Sequence, residues 1–232
     1  MSVAGRRGPK GPVTYPDLAL WQRWIKELTN AVTTIMVYRE IWGMMAAAID
    51  ANPKIPRTLA MDYLAGTYSQ SQAVAVRRLV DGHPNVVSLA RLLKSIGMNP
   101  QLITREWWIG QHDPLDRRVT EQEWDAKFGG TVHDNVDPQI VASDLHDLLA
   151  EADIVKTLVN KVVGHREENY SGPIVTQGDI NGALDHIGRL FQKYYKLVLV
   201  ADWYRLVPSG LERVMRTFSV PWVPAPDPAP RF

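Results

Sequence analysis

The chain has 232 residues, of which 45% are apolar and 22% charged, and its 26 Lys and Arg against 25 Asp and Glu give a formal net charge of +1. This composition is typical of a globular protein, and the balanced charge gives no general attraction to nucleic acid or membranes, so a basic site has to be local. The absence of cysteine excludes disulfides, thiolate metal ligands and cysteine nucleophiles. No apolar run is long enough to span a membrane, and the basic N-terminus lacks the apolar segment of a signal peptide, so a cytoplasmic protein is predicted.

Residues 1–16 are rich in Gly, Pro and basic residues and are predicted to form a flexible basic arm. From Leu18 onward, apolar residues recur every three or four positions, which predicts a long first helix with Asp17 as its N-cap. Arg39 lies at a position where this spacing predicts an apolar residue. A charge at that position has to pair with a carboxylate or serve a site.

A second helix is predicted from about Thr58 to Val80. Its predicted buried side consists of Leu59, Tyr63, Ala73, Val76 and Val80. Arg77 and Arg78 lie near its end, directly before the helix-breaking sequence "DGHPN". Ser88 is placed to cap a short third helix.

Residues 104–136 mix Trp, Gly, Pro and charge, and they predict short helices and loops inserted between two pairs of long helices. Thr120 followed by Glu123 resembles a capping box at the start of one short helix. Trp107 and Trp108 in this insertion are interpreted either as core residues or as a surface for stacking or docking.

Two further long helices follow the insertion. Asp137 before Pro138 is a strong start signal for the first, and Thr176 with Asp179 is one for the second. The apolar positions of the first are Val141, Leu145, Leu148, Ala152, Val155, Val159 and Val162. Residues 208–232 are predicted to form a short helix and an extended Pro-rich tail.

The fold class that follows is all-α: a bundle of four long helices over residues 17–207, with the irregular short-helix insertion at about 104–136. A helical bundle gives a fold class and leaves the function open.

His165 is the most informative candidate for chemistry, because it lies at the predicted end of the third long helix beside Lys161 and Arg166. A histidine that titrates near neutrality, next to cations that hold a phosphate, is what RNA cleavage by transphosphorylation needs. The alternative is that these three side chains only complement the negative end of the helix dipole.

The order of several segments resembles the HEPN superfamily, and more narrowly the AbiU-type HEPN proteins of bacterial abortive-infection systems. The segments are "LALWQRWIKEL", "VYREIW", "QAVAVRR", "FGG", "VNKVVGHREE" and "INGALDHIGRLFQKYYKLV". The resemblance implies an HEPN-like bundle, a homodimer, and a metal-independent endoribonuclease in phage defence or a toxin–antitoxin pair. It makes Asn160, Lys161, His165 and Arg166 the candidate catalytic residues.

The chain departs from the family's pattern at one position. HEPN nucleases carry an arginine shortly before the histidine, and this sequence has Leu158, Val159 and Asn160 there. Lys161 is the nearest cation, and a lysine lacks the bidentate fork of arginine. Arg39, Arg77 and Arg78 are therefore the candidates for a remote arginine that binds RNA.

Two functional interpretations stay open. One is the endoribonuclease, with His165 as acid and base. The other is a catalytically inactive HEPN-type module that binds RNA, a nucleotide or a protein partner such as an antitoxin, and the missing arginine favours it. The sequence shows no phosphate-binding Gly loop and no nucleophile elbow, and "HDPLD" is too weak a signal for a metal site, so no cofactor or metal is predicted.

Overall fold

A computed structural model describes residues 17–51, 58–130, 133–163, 172, 174–203, 205–207, 209–211, 213 and 216. Apart from one antiparallel bridge between Thr104 and Asn135, the regular structure of these residues is helical. The α-helices are α1 (Leu18–Asp50), α2 (Leu59–Leu79), α3 (Leu89–Met98), α4 (Arg105–Gly110), α5 (Arg117–Lys127), α6 (Pro138–Leu158) and α7 (Gln177–Leu199). The all-α fold class is thereby confirmed, whereas the predicted basic arm at 1–16 and most of the predicted tail at 208–232 lie outside the described residues.

The predicted helix starts are confirmed by their hydrogen bonds. Side-chain oxygens of Asp17, Ser88, Asp137 and Thr176 each accept a backbone N–H from the first turn of the helix that follows. Asp179 accepts from the backbone of Thr176 in return, which completes a capping box at α7. These caps fix where α1, α3, α6 and α7 begin.

The four long helices α1, α2, α6 and α7 bury their apolar sides in one core, to which α3 and the insertion also contribute. The apolar positions predicted for α6 that the structure describes line the core: Val141, Leu148, Ala152, Val155 and Val159 are buried and Leu145 is partly buried. The side chain of Val162 lies outside what the structure describes. Helices α6 and α7 are antiparallel, because Asp144 in the first half of α6 accepts hydrogen bonds from Lys193 (2.5 Å) and Tyr194 (2.7 Å) in the last part of α7. Burial, and then the Asp144 carboxylate, raise the pKa of the Tyr194 hydroxyl, so it stays a neutral donor.

The buried side predicted for α2 is wrong at its N-terminal half. Ala73, Val76 and Val80 are buried, but Leu59 is 87% exposed and Tyr63 is 72% exposed. The apolar spacing extends into the first half of α2, but the packed core does not reach that far. In the first half of α2 this period marks side chains that face solvent.

The insertion contributes an aromatic cluster to this core. Trp108, Trp124 and Phe128 are buried, with ring centroids between 5.4 and 5.7 Å apart. Helix α5 begins at Arg117, so the cap predicted at Thr120 is wrong. The Thr120 hydroxyl is buried inside the helix and donates to the backbone oxygen one turn earlier.

A charged cluster joins the insertion to α7. The Lys196 ammonium lies 2.6 Å from Glu123 of α5 and 2.9 Å from Asp202. Burial alone would lower the pKa of Lys196, but the bonds to the two carboxylates outweigh it and raise that pKa above its usual value. The insertion therefore packs on the bundle as one body with it, and Trp108 belongs to the core, not to a docking surface.

Candidate functional site

The candidate site lies at the end of α6, where the helix widens into a π-helical turn over Val159–Val163. Val159 remains in the core at 6% exposure, and Asn160 and Lys161 are both exposed. A π-turn places more than the usual number of residues in one turn, and such turns are frequent at functional sites. The turn presents Asn160 and Lys161 at the surface while the core contact of α6 is kept.

Arg77 of α2 reaches this turn. Its Nε donates to Oδ1 of Asn160 at 3.2 Å, and its Nη1 forms an ion pair with Asp81 at 2.6 Å. The side chain is 39% exposed, so the guanidinium stands at the surface. An arginine that is distant in sequence thus contacts Asn160 at the end of α6.

Asp81 holds this arginine in place and is itself held by the loop after α2. Its carboxylate accepts the backbone N–H of His83 at 2.9 Å, and its backbone oxygen accepts a hydrogen bond from Ser88. The hydrogen bond from the His83 backbone lowers the pKa of Asp81, burial opposes this, and the charge of Arg77 adds to the lowering. Asp81 is therefore ionised at neutral pH, and Arg77 keeps a fixed orientation toward Asn160.

Sequence reasoning missed both Asp81 and His83, because "DGHPN" was interpreted only as a helix breaker. The spacing of four between Arg77 and Asp81 is a signal that could have identified the ion pair. His83 is exposed, and its Nδ1 accepts the backbone N–H of Asn85 at 3.2 Å, so the ring proton of the neutral form lies on Nε2. The structure thus adds a second histidine, two residues from the carboxylate that binds Arg77.

The other predicted arginines do not make this contact. Arg39 pairs with Asp185 of α7 at 2.7 Å, and the two side chains are 31% and 52% exposed. This ion pair accounts for a charge inside the apolar pattern of α1. Arg78 is exposed and lines a groove between α1 and α2.

That groove has a volume of about 1050 Å³, and its lining includes Arg78, the neighbour of Arg77 along the chain. Its floor is apolar and includes Leu28, Ile35 and Leu79. Its rim carries hydroxyl and amide side chains, namely Asn30, Thr34, Thr67, Gln70 and Ser71. A volume of this size is at the upper end of the range for ligand-binding clefts.

Of the four candidate catalytic residues, the structure describes Asn160 and Lys161, whereas His165 and Arg166 lie outside the described residues. No group of three or more His, Asp or Glu side chains in the described part of the chain is placed to hold a metal ion. His112 of "HDPLD" instead places its Nδ1 2.9 Å from the backbone oxygen of Trp108.

Comparison with protein-family models, with curated proteins and with solved structures finds no match to this chain. Among the described helices, none combines the length and the apolar character that a membrane crossing requires.

Proposed function

We propose that this chain is an HEPN-type endoribonuclease that cleaves RNA without a metal ion and serves in phage defence or as the toxin of a toxin–antitoxin pair. The observation that carries the proposal is the hydrogen bond between Arg77 and Asn160. It brings a guanidinium to the end of α6, close in sequence to His165, where the sequence itself has no arginine. The Arg77 contact and the exposed Lys161 on the same π-turn give this end of the bundle two cations.

The chemistry follows from these groups. His165 takes the proton from a ribose 2′-hydroxyl, and the 2′-oxygen attacks the adjacent phosphorus. The bond from phosphorus to the 5′-oxygen of the next nucleotide breaks, and that oxygen accepts a proton. The products are a 2′,3′-cyclic phosphate and a 5′-hydroxyl. Arg77 and Lys161 stabilise the negative charge on the phosphate oxygens as the pentacoordinate transition state forms.

Arg77 suits this role because arginine offers several N–H groups in a planar fork. The two observed bonds use Nε and Nη1, and the second terminal nitrogen, Nη2, makes neither of them. Asp81 orients the guanidinium without taking up the whole fork. A phosphate oxygen can then accept a hydrogen bond at the Nη2 edge of the guanidinium, which neither Asn160 nor Asp81 contacts.

The second candidate function is a module of the same fold that binds RNA, a nucleotide or a protein partner without catalysis. One observation favours it: the positive charge of Arg77 is already balanced by the Asp81 carboxylate at 2.6 Å. A balanced guanidinium attracts a phosphate less strongly than an unpaired one. In either function we propose a homodimer and a cytoplasmic location.

The deciding experiment incubates purified protein with end-labelled single-stranded RNA in EDTA. We expect cleavage by the wild type, none by His165→Ala, and a loss of about 100-fold for Arg77→Lys, because lysine cannot replace a preorganised donor pair. The matched control is Arg78→Lys on the next residue, which should stay within about threefold of wild type because Arg78 lies in the α1–α2 groove.

Cleavage that survives His165→Ala would sink the nuclease proposal, as would the absence of cleavage by wild type on a panel of RNA sequences. If neither the wild type nor any variant cleaves RNA but all of them retain it equally, the non-catalytic binding module is the function supported.

A further inference from the structure

The second half of α1 and the first half of α2 expose an apolar surface that the proposed function does not use. Its centre is a depression of about 310 Å³, called here the aromatic groove. The groove is lined mainly by Tyr38, Ile41, Trp42, Met45, Leu64 and Tyr68. Trp42 and Tyr68 stack with their ring centroids 4.9 Å apart, whereas Tyr38 is 52% exposed and Leu64 is 42% exposed. Ile41, Trp42, Met45 and Tyr68 are half-buried, so the groove combines a partly covered apolar floor with the exposed side chains of Tyr38 and Leu64. An apolar depression of this kind is suited to binding an apolar segment.

The same chain contains a sequence that fits such a groove. Residues 217–232 lie outside the described residues and include "PWVP", in which Pro221 and Pro224 are three positions apart. In a polyproline II helix, residues three apart lie on one side. Grooves lined by aromatic side chains bind Pro-rich segments in this conformation, and little entropy is lost because the segment is already extended.

The described chain after α7 leads back toward α1. Val200 has a left-handed conformation with φ of 54°, which ends α7 and turns the chain. Trp203 then packs on Phe191, with ring centroids 5.7 Å apart. Further along, Leu206 lies beside Met36 of α1, since both approach the same glycine of α7.

The length of chain beyond Leu206 is sufficient to reach the groove. Met36 and Tyr38 are two residues apart on α1, but they lie on different sides of that helix. A helix with its side chains is about 10–12 Å across. Residues 209–211 form a turn, and the backbone N–H of Arg213 donates to the Gly210 oxygen, so this part of the chain is not extended. With it compact, the chain from Leu206 to Pro221 spans up to roughly 35 Å, which still exceeds the width of α1.

We propose that the segment around Pro221 and Pro224 binds in the aromatic groove of the same molecule. The two prolines pack on the rings of Tyr38 and Trp42, and the tail covers apolar surface that would otherwise face solvent. The groove continues into the larger α1–α2 groove, because Tyr38, Thr67 and Ser71 line both. The bound tail therefore also borders the larger groove.

The absence of cysteine allows a direct test in the full chain. Thr67 is exposed at the groove, and Ala225 follows Pro224, so the double variant Thr67→Cys/Ala225→Cys places one thiol on each side of the proposed contact. A disulfide forms when the two Cα atoms come within about 7 Å. We expect a disulfide-linked monomer to form under mild oxidation at least tenfold faster than in a control pair, roughly the gain in effective concentration from docking.

The control pair is Arg118→Cys/Ala225→Cys, because Arg118 is exposed on α5, away from the groove. Adding Pro221→Ala/Pro224→Ala to the Thr67 pair should lower its rate to that of the control. Equal rates for the two pairs would overturn the proposal. A disulfide-linked dimer would also overturn it, since the tail would then occupy the groove of a second copy. None of these readouts depends on RNA cleavage.

Discussion

The contact between Arg77 and Asn160 can be measured as a coupling energy, because the residues sit on different helices and each can be shortened alone. Arg77 donates to Asn160 at 3.2 Å and to Asp81 at 2.6 Å. A hydrogen bond contributes about 0.5–1.5 kcal/mol and an exposed ion pair about 0.2–1 kcal/mol. Since the Arg77 side chain is 39% exposed, both values are taken at their lower ends.

Arg77→Ala is therefore expected to lower the free energy of unfolding by about 0.7 kcal/mol, and Asn160→Ala by about 0.5 kcal/mol. The double variant should lose less than the sum, with a coupling energy of about 0.5 kcal/mol. Urea unfolding followed by circular dichroism measures all four proteins, and the m-value should not change among them. The cycle removes the effect of alanine on the π-turn itself, because that effect occurs in both arms.

The matched control is a second cycle, in which Arg78→Ala takes the place of Arg77→Ala. Arg78 faces the α1–α2 groove, so Arg78→Ala and Asn160→Ala should add within about 0.3 kcal/mol. Additivity in the Arg77 cycle as well would refute the contact between α2 and the π-turn. The observation that carries the proposed function would then be lost, whatever the cleavage assay gives.

Two further predictions concern the insertion and the helix surface. The pKa of Glu123 is lowered because its bonds to lysines, including Lys196, outweigh the effect of burial. Its contribution to stability is therefore full above the unfolded pKa near 4.3 and is lost as the pH falls through the lower folded pKa. The loss of about 1 kcal/mol expected for Glu123→Gln at pH 7 should shrink as the pH is lowered below the unfolded pKa in urea titrations, and a pH-independent loss would contradict the ion pairs. Gly129→Ala should lower the free energy of unfolding by about 1–3 kcal/mol, because the new Cβ would lie 2.7 Å from Nε1 of the buried Trp124. The matched change Gly66→Ala on α2, where no atom lies within 4 Å, should raise it by about 0.5–1 kcal/mol in the same assay, and equal effects would show that the packing at Gly129 is loose.

The helix boundaries could be predicted because their signals are local. Asp17, Ser88, Asp137 and Thr176 each satisfy backbone donors within their own first turn, so no distant part of the chain is needed to interpret them. Thr120 shows the limit of that signal: the same side chain also bonds back to the preceding turn when the helix starts earlier.

Burial was predicted less well because it depends on the extent of the core. The apolar period of α2 begins at Leu59, and nothing in the period itself shows that the first turns project past the packed helices. The same holds for Trp42, whose partner Tyr68 could not be identified before the packing of α1 and α2 was known. Contacts between aromatic residues on different helices are thus identified by the tertiary structure alone.

The candidate site combines a predictable and an unpredictable part. Asn160 and Lys161 could be predicted as site residues from their position at the end of α6. Arg39, Arg77 and Arg78 were equal candidates for the remote arginine in the sequence. Packing separated them, because Arg39 meets Asp185 from a helix 146 positions away and Arg77 meets the π-turn. A long-range pairing of this kind has no local signal.

An arginine that comes from α2 makes the proposed site depend on the packing of α2 against α6. In the pattern of the HEPN nucleases, arginine and histidine are close in sequence, so their separation is fixed largely by one helix. Here the position of Arg77 depends on its hydrogen bond to Asn160 on the π-turn and on its ion pair with Asp81. A substitution in the core between these helices, such as Val76→Ala, should therefore reduce cleavage by more than its loss of stability accounts for. The physical reason is that a small shift of α2 moves the guanidinium relative to the phosphate, and transition-state stabilisation falls steeply with such displacement.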